Sequence, residues 1–191
     1  MSFASHRLIA LLVFGLPVFA GSAPGIKNFD QVDAHVYRGG QPTDTGFQYL
    51  ANLGVKTIID LRETGDRSKA EKRVVTGARM KYINVPMTGF TAPTEADITK
   101  ILAVLEDSTT GPVFVHCWRG ADRTGAVIAA YHIDHDNWDN ARALKDAQAH
   151  SMSSIQFPRQ NYIRNFRSPT VSAKTTSPAD IAATPTAAGV N

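Results

Sequence analysis

The sequence predicts an α/β fold, one domain in which a central, mostly parallel sheet is flanked by helices. Three features point there. Short β-rich runs alternate with helical ones, which is the order of a layered α/β unit. The runs are short enough for buried strands and carry turn signals at their ends. One of them, Val113 to His116, passes through a glycine-containing loop directly into a helix.

In chain order, Val36 to Arg38 is a short strand ended by Gly39-Gly40, and Thr43 to Leu53 is a helix opened after Pro42 and closed by Gly54. Lys56 to Leu61 is the next strand, Ser68 to Thr76 a helix stopped by Gly77, and Met80 to Val85 a further strand. Thr94 to Glu106 carries Ile98, Ile101, Leu102 and Leu105 at helical spacing, with Thr94 and Asp97 placed as an approximate capping box. After Gly111-Pro112 come the strand Val113 to His116, a helix from Arg123 to about Ile133, a weaker helix from Trp138 to His150, and an amphipathic closing piece around Ile155 to Phe166.

Residues 1–23 have the charged start, the apolar run Leu8 to Ala20 and the small residues of a secretory signal peptide, cut after Ala20 or Ala23. The run is short for a membrane span, so an exported, periplasmic or secreted mature protein is expected, with no stable membrane insertion after cleavage. Residues 24–167 make the domain. Residues 168–191 are Ala, Thr, Ser and Pro without a large apolar cluster, and are expected to be a disordered tail. A net charge of +3 is too mild to argue for nucleic acid or a membrane surface. The oligomeric state is not legible.

Cys117 is the only cysteine, so it has no internal disulfide partner and is either inert core or a reactive group. Its neighbours favour reactivity. A strand, a loop and a helix N-terminus in sequence aim consecutive backbone N–H groups at one point, where the helix dipole adds positive potential. The cradle so formed comprises Trp118, Arg119, Gly120, Ala121, Asp122 and Arg123. The same field favours thiolate over thiol at Cys117. Arg123 can hold two oxygens of a bound oxyanion bidentately, and Gly120 and Gly125 give the backbone room to curl and approach a ligand. Thr124 is placed to donate its hydroxyl to the sulfur, and His116 to order the loop.

The stretch His116 to Thr124, HCWRGADRT, resembles the signature of the cysteine-dependent protein tyrosine and dual-specificity phosphatase superfamily: His-Cys, five residues, Arg, then Ser or Thr. NFDQVDAHVYRGGQP (Asn28 to Pro42), GVKTIIDLR (Gly54 to Arg62) and YINVPM (Tyr82 to Met87) are similar to the atypical plant, fungal and bacterial dual-specificity group. The resemblance implies hydrolysis of phosphomonoesters on protein, inositol phosphate or lipid headgroup through a phosphocysteine, with no cofactor and no metal. Two alternatives stay open: a phosphate-binding module without turnover, and a rhodanese-like sulfurtransferase, against which Arg123-Thr124 argues.

Related enzymes often carry an acid shortly after the YINVP strand to protonate the leaving group; here Pro86 to Pro93 contains none. Asp122 is the first candidate, since loops ending Asp-Arg-Thr resemble those of myotubularin lipid phosphatases and some bacterial secreted phosphatases. Asp97 and Glu95 follow, and bracing of the loop is the competing role for Asp122. Arg119 is either a second anion anchor or solvated, and Trp118 either lines the rim or packs inward. Asp60 with Arg62, and Arg38 with Gln41, are expected in structural contacts. Arg67, Lys69, Lys72 and Arg73 form a basic cluster whose default is a solvated helix face, and His132 and His135 lack the further ligands a metal site needs.

Overall fold

A computed structural model describes residues 23–169; the proposed signal peptide except Ala23, and the tail beyond Pro169, lie outside the described residues. The elements are β1 (Asp30–Gln31), β2 (Val36–Gly39), α1 (Asp44–Asn52), β3 (Thr57–Asp60), α2 (Asp66–Gly77), β4 (Lys81–Asn84), α3 (Glu95–Leu105), a short 3-10 turn (Ser108–Thr110), β5 (Val113–His116), α4 (Asp122–Asp134), α5 (Asn140–Ala149) and α6 (Phe157–Asn165). The strands form one five-stranded sheet in the order β1-β2-β5-β3-β4. β5 lies parallel between β2 and β3, β4 continues the parallel set, and only β1 runs antiparallel. The expected mostly parallel sheet flanked by helices is therefore present.

Period-two alternation along the central strands builds two cores. Tyr37, Ile58 and Phe114 face one side and pack with Phe47 and Leu50 of α1 and Val75 of α2. Val36, Ile59, Val113, Val115 and then Cys117 face the other, against Ile98, Ile101 and Leu102 of α3 and Val127 and Ile128 of α4. Alternation thus sends His116 toward α2 and Cys117 toward α4. A third cluster joins α4, α5 and α6 through Ala126, Ala129, Ala143, Ala147 and Ile163.

Several boundaries move for local reasons. β1 is too short and too polar to show a pattern; it exists because Asp30 and Gln31 pair with Arg38 and Tyr37. α2 begins at Asp66 rather than Ser68, because the Ser68 hydroxyl folds back onto Gly65 N and O and so belongs to the first turn. α5 begins at Asn140, not Trp138: Asp139 caps it by accepting from Arg142 N at 2.7 Å. Trp138 is instead stacked on His132 at 3.8 Å, with Arg142 over its ring at 3.7 Å. α4 begins at Asp122, one residue before the expected Arg123. Ala23 is already buried against the α1 side, so the described chain enters the core from its first residue.

Phe114 is fully buried between the central strand and α1. Phe114→Ala is expected to destabilise the fold by about 3–5 kcal/mol, read as a lower midpoint in urea unfolding.

Candidate active site

The strand β5 ends at His116, and the chain then turns through Cys117 to Ala121 into α4. Several carbonyls of this turn are engaged, Cys117 O by the neighbouring His116 ring at 3.4 Å. Trp118 O accepts from Gln41 N at 3.2 Å. Gly120 O accepts from Asn28 Nδ2 at 3.0 Å and from Arg38 Nη2 at 3.1 Å. Ala121 O accepts from Gly125 N at 2.7 Å. By contrast, among the described residues the backbone N–H groups from Trp118 to Thr124 have no acceptor. A run of unspent N–H groups at a helix N-terminus is an anion cradle, because unpaired backbone donors are costly and an oxyanion satisfies several at once.

Glycine makes the turn possible at one point above all. Gly120 has φ +72°, and a Cβ there would lie 2.4 Å from Gly39 C and 2.5 Å from Gly40 N. Gly40 returns the constraint, a Cβ on it falling 3.1 Å from the Arg119 backbone. Gly39-Gly40, expected as a strand breaker, is thus the place where β2 and the loop touch backbone to backbone. Gly125, expected to free the loop, instead serves packing, since it lies inside α4 and a Cβ there would meet Met152 at 3.1 Å and Ala147 at 3.4 Å.

Beneath the loop lies a buried polar network. Arg62 donates to Asp60 through Nε at 2.9 Å and Nη2 at 2.7 Å, and to Glu71 at 2.5 Å. Glu71 also holds His116 Nε2 at 2.7 Å and accepts from Gln41 Nε2 at 2.7 Å. Asp60, Glu71 and His116 come within 4.8 Å of one another as potential ligands, yet the Arg62 guanidinium bonds both carboxylates and makes the trio an ion-pair network. Burial alone would raise the Asp60 pKa; the Arg62 bonds and the His116 charge outweigh it and hold the carboxyl below its usual range. His116 is thus fixed directly before Cys117 by Glu71, which has no sequence motif.

Cys117 is 2% exposed at the end of β5, on the α4 side of the sheet. Arg123 donates weakly to Leu61 O at 3.4 Å and Met87 O at 3.3 Å, so its guanidinium spans the ends of β3 and of the segment after β4. A cavity of about 360 Å³ opens there, lined by Arg62, Glu63, Arg67, Trp118 and Arg123. Trp118 is 53% exposed and forms the rim, with the Arg67 guanidinium 5.2 Å from its ring centroid. Arg67 is thus drawn out of the basic cluster to the site, while Lys69 pairs at 3.9 Å with Asp66 on the exposed face. The hydroxyl of Thr124 is buried without a hydrogen-bond partner, so the expected bond to the sulfur is not formed in this structure.

Asp122 is nearly buried in the first turn of α4. Its Oδ2 accepts from Arg119 at 2.6 Å and its Oδ1 from Ser153 N at 2.8 Å. Arg119, expected as an anchor or as solvated, is thus exposed yet tied to Asp122. Asp97 is spent on the Thr94 cap, and Glu95 lines a separate cavity with Ile98 and Tyr162. His132 and His135 share Asp136 and stack on Trp138 and Tyr131. Arg38 is buried, bonded to Gly120 O and paired with Asp146 at 3.5 Å; burial brings its pKa down to about 10. Arg159 and Glu63 carry no mark in the sequence, because nothing local distinguishes a residue that meets the loop only through the tertiary fold.

A family described as a DSP-PTPase phosphatase fused to NAD+ kinase matches residues 16–165. The chain belongs to this family. Among curated relatives, the dual specificity protein phosphatase TpbA of Pseudomonas aeruginosa is 27% identical over 133 residues, 69% of this chain and 58% of TpbA. The probable chloroplastic NAD kinase 2 of rice is 27% identical over 130 residues, 66% of this chain and 13% of the rice protein. The chain thus spans little more than half of the one and about an eighth of the other. The crystal structure of the core catalytic domain of the PP-IP phosphatase SIW14 from S. cerevisiae superposes with a TM-score of 0.66 at 22% identity, covering 78% of this chain and 93% of that one. That likeness places the phosphatase-family fold on this chain, in agreement with the sheet order and the loop at the end of β5.

Two outcomes follow. Gly120→Ala forces a side chain into a left-handed residue and into backbone, and is expected to cost at least about 1–2 kcal/mol in melts and to abolish binding of inorganic phosphate by calorimetry. Behind the loop, the hydrogen bond that His150 donates to Asp146 raises the His150 pKa above 6.5, against the opposing effects of burial and Arg38. A raised pKa gives stability that is complete below the unfolded value and lost as pH climbs through the folded one. The melting-temperature gap between wild type and His150→Gln is therefore expected to be widest below pH 6.5 and to close above the folded pKa.

Proposed function

We propose that this protein is a cysteine-dependent phosphatase acting on phosphomonoesters that carry further negative charge, such as inositol phosphates. The observation that carries it is the ring of unspent N–H groups from Trp118 to Thr124 around the end of the strand that bears Cys117. The Cys117 thiolate attacks phosphorus while the P–O bond to the leaving group breaks. The N–H groups and Arg123 meet the charge on the transferring group. Asp122 gives a proton to the leaving oxygen; water then attacks the phosphocysteine, the P–S bond breaks, and Asp122 takes the proton back.

In the free protein both Asp122 oxygens accept hydrogen bonds, so Asp122 acts as the acid only once Arg119 has left and the carboxyl has taken up a proton from water. Arg119 is exposed and can turn to a second anionic group of the substrate, which frees the carboxyl when such a substrate is bound. The cationic rim of Arg67 and Arg119, and the likeness to an enzyme described as a PP-IP phosphatase, support a multiply phosphorylated small substrate. The apolar run Leu8 to Ala20 supports export, and cleavage after Ala20 keeps the buried Ala23.

The double use of Asp122 also favours a second reading, a module that holds phosphate without turning it over. Release of inorganic phosphate from phosphotyrosine peptide, phosphoserine peptide, phosphoinositide and inositol hexakisphosphate separates the two. Turnover is expected to be highest on inositol hexakisphosphate, absent in Cys117→Ser, and lower by about 100-fold or more in Asp122→Asn on poor leaving groups. Phosphate binding with neither release nor a trapped phosphocysteine would establish the module instead.

A further inference from the structure

Most charged side chains around the loop are matched. Arg38 pairs with Asp146, which also contacts His150; Arg62 pairs with Asp60 and Glu71, which also holds His116; and Arg119 pairs with Asp122. Arg67 stands at the rim against Trp118. α3 presents only apolar residues to the Cys117 cluster. Among the described residues, two further guanidinium groups at the site have no carboxylate partner. One is Arg123. The other is Arg159 on α6, which is completely buried.

Arg159 bonds only neutral oxygens: Gly89 O at 2.9 Å and Gln156 Oε1 at 2.5 Å through Nη1, and Thr88 O at 2.6 Å through Nη2. Its Nε is buried with no partner. Arg123 donates to the carbonyl immediately before these, Met87 O. The two cations thus sit on consecutive carbonyls of one segment, and Met87 itself packs in the cluster that contains Cys117. A buried cation without a counter-ion is expensive, and placing a second one beside the first is worse unless negative charge lies close by.

We propose that Arg159 is a positioning residue for the nucleophile, a second, permanently buried guanidinium beside Arg123 whose charge holds Cys117 ionised while its hydrogen bonds lock Thr88 and Gly89 at the edge of the cradle. The role presupposes that Cys117 reacts as a thiolate. Burial and the like charge of Arg123 lower the Arg159 pKa, and the negative charges of Asp122 and Cys117 oppose them. The segment after β4, which contains no acid, is part of the same arrangement. It is tethered by Arg159 and by Gln156, whose Nε2 donates to Gly89 O at 3.2 Å, and serves as a fixed wall.

Because Cys117 is the only cysteine, the pH dependence of its alkylation by iodoacetamide reads its ionisation without any need for turnover. Arg159→Gln, which keeps amide donors for the carbonyls, is expected to raise the apparent thiol pKa by about one unit, slowing alkylation about tenfold below the wild-type pKa. Gln156→Glu is nearly isosteric and places a carboxylate on Arg159; it is expected to fold, to shift the thiol in the same direction and to slow phosphate release. Arg159→Lys keeps the charge and is expected to titrate close to wild type. A folded Arg159→Gln with wild-type titration overturns the proposal, and should that variant fail to fold, an unshifted Gln156→Glu overturns it. Either result with intact turnover leaves the phosphatase assignment standing, whereas a wild-type thiol that titrates like free cysteine removes both.

Discussion

The site depends on a contact between two stretches of main chain. Gly120 lies against Gly39 and Gly40 at a separation that excludes any Cβ, and that contact brings the loop carbonyls within reach of Arg38, Asn28 and Gln41. With those carbonyls engaged, the N–H groups from Trp118 to Thr124 have no acceptor among the described residues and are free to meet an anion. An anion site then arises from backbone alone, and side chains refine it.

The surroundings of the loop contain several buried charged groups. Arg38, Asp60, Glu71, His116 and Arg159 are all essentially inaccessible. Most of this charge is cancelled in pairs and stiffens the ends of β2, β3 and β5, where the loop is anchored. Among the described residues, Arg67, Arg123 and Arg159 are the guanidinium groups at the site that have no carboxylate partner, and the last two bond consecutive carbonyls of one segment. Desolvated cations keep their field because little water screens them, so one or two unmatched groups matter more here than the whole protein's charge of +3.

Asp122 shows how one residue joins structure to chemistry. As the first residue of α4 it complements the helix dipole, and through Ser153 N it ties the segment before α6 to the cradle. Its bond to the exposed Arg119 is the weak link in that brace, since an exposed ion pair has little net strength and a substrate anion can compete for the guanidinium. In the proposed mechanism, bracing and proton transfer are successive states of the same carboxyl.

Much of the fold was legible from local pattern. Short β-rich runs bounded by turn signals marked β2, β3, β4 and β5, periodicity with the Thr94 cap marked α3, and the strand-loop-helix from Val113 placed Cys117 and Arg123 on one loop, because these signals come from neighbours in sequence. The two-residue β1, the true starts of α2 and α5, and the packing role of Gly125 were not, because each depends on partners elsewhere in the fold. The same holds for the cradle's support. Nothing near Glu71 announces that it holds His116, and nothing near Arg159 announces Thr88 or Gly89. The sequence by itself determined the candidate loop from Cys117 to Arg123 and most of the order of strands and helices, since those follow from spacing along the chain. Which buried charges are paired and which are left without a counter-ion was decided only by the tertiary structure, because pairing between buried groups is set by distance in space.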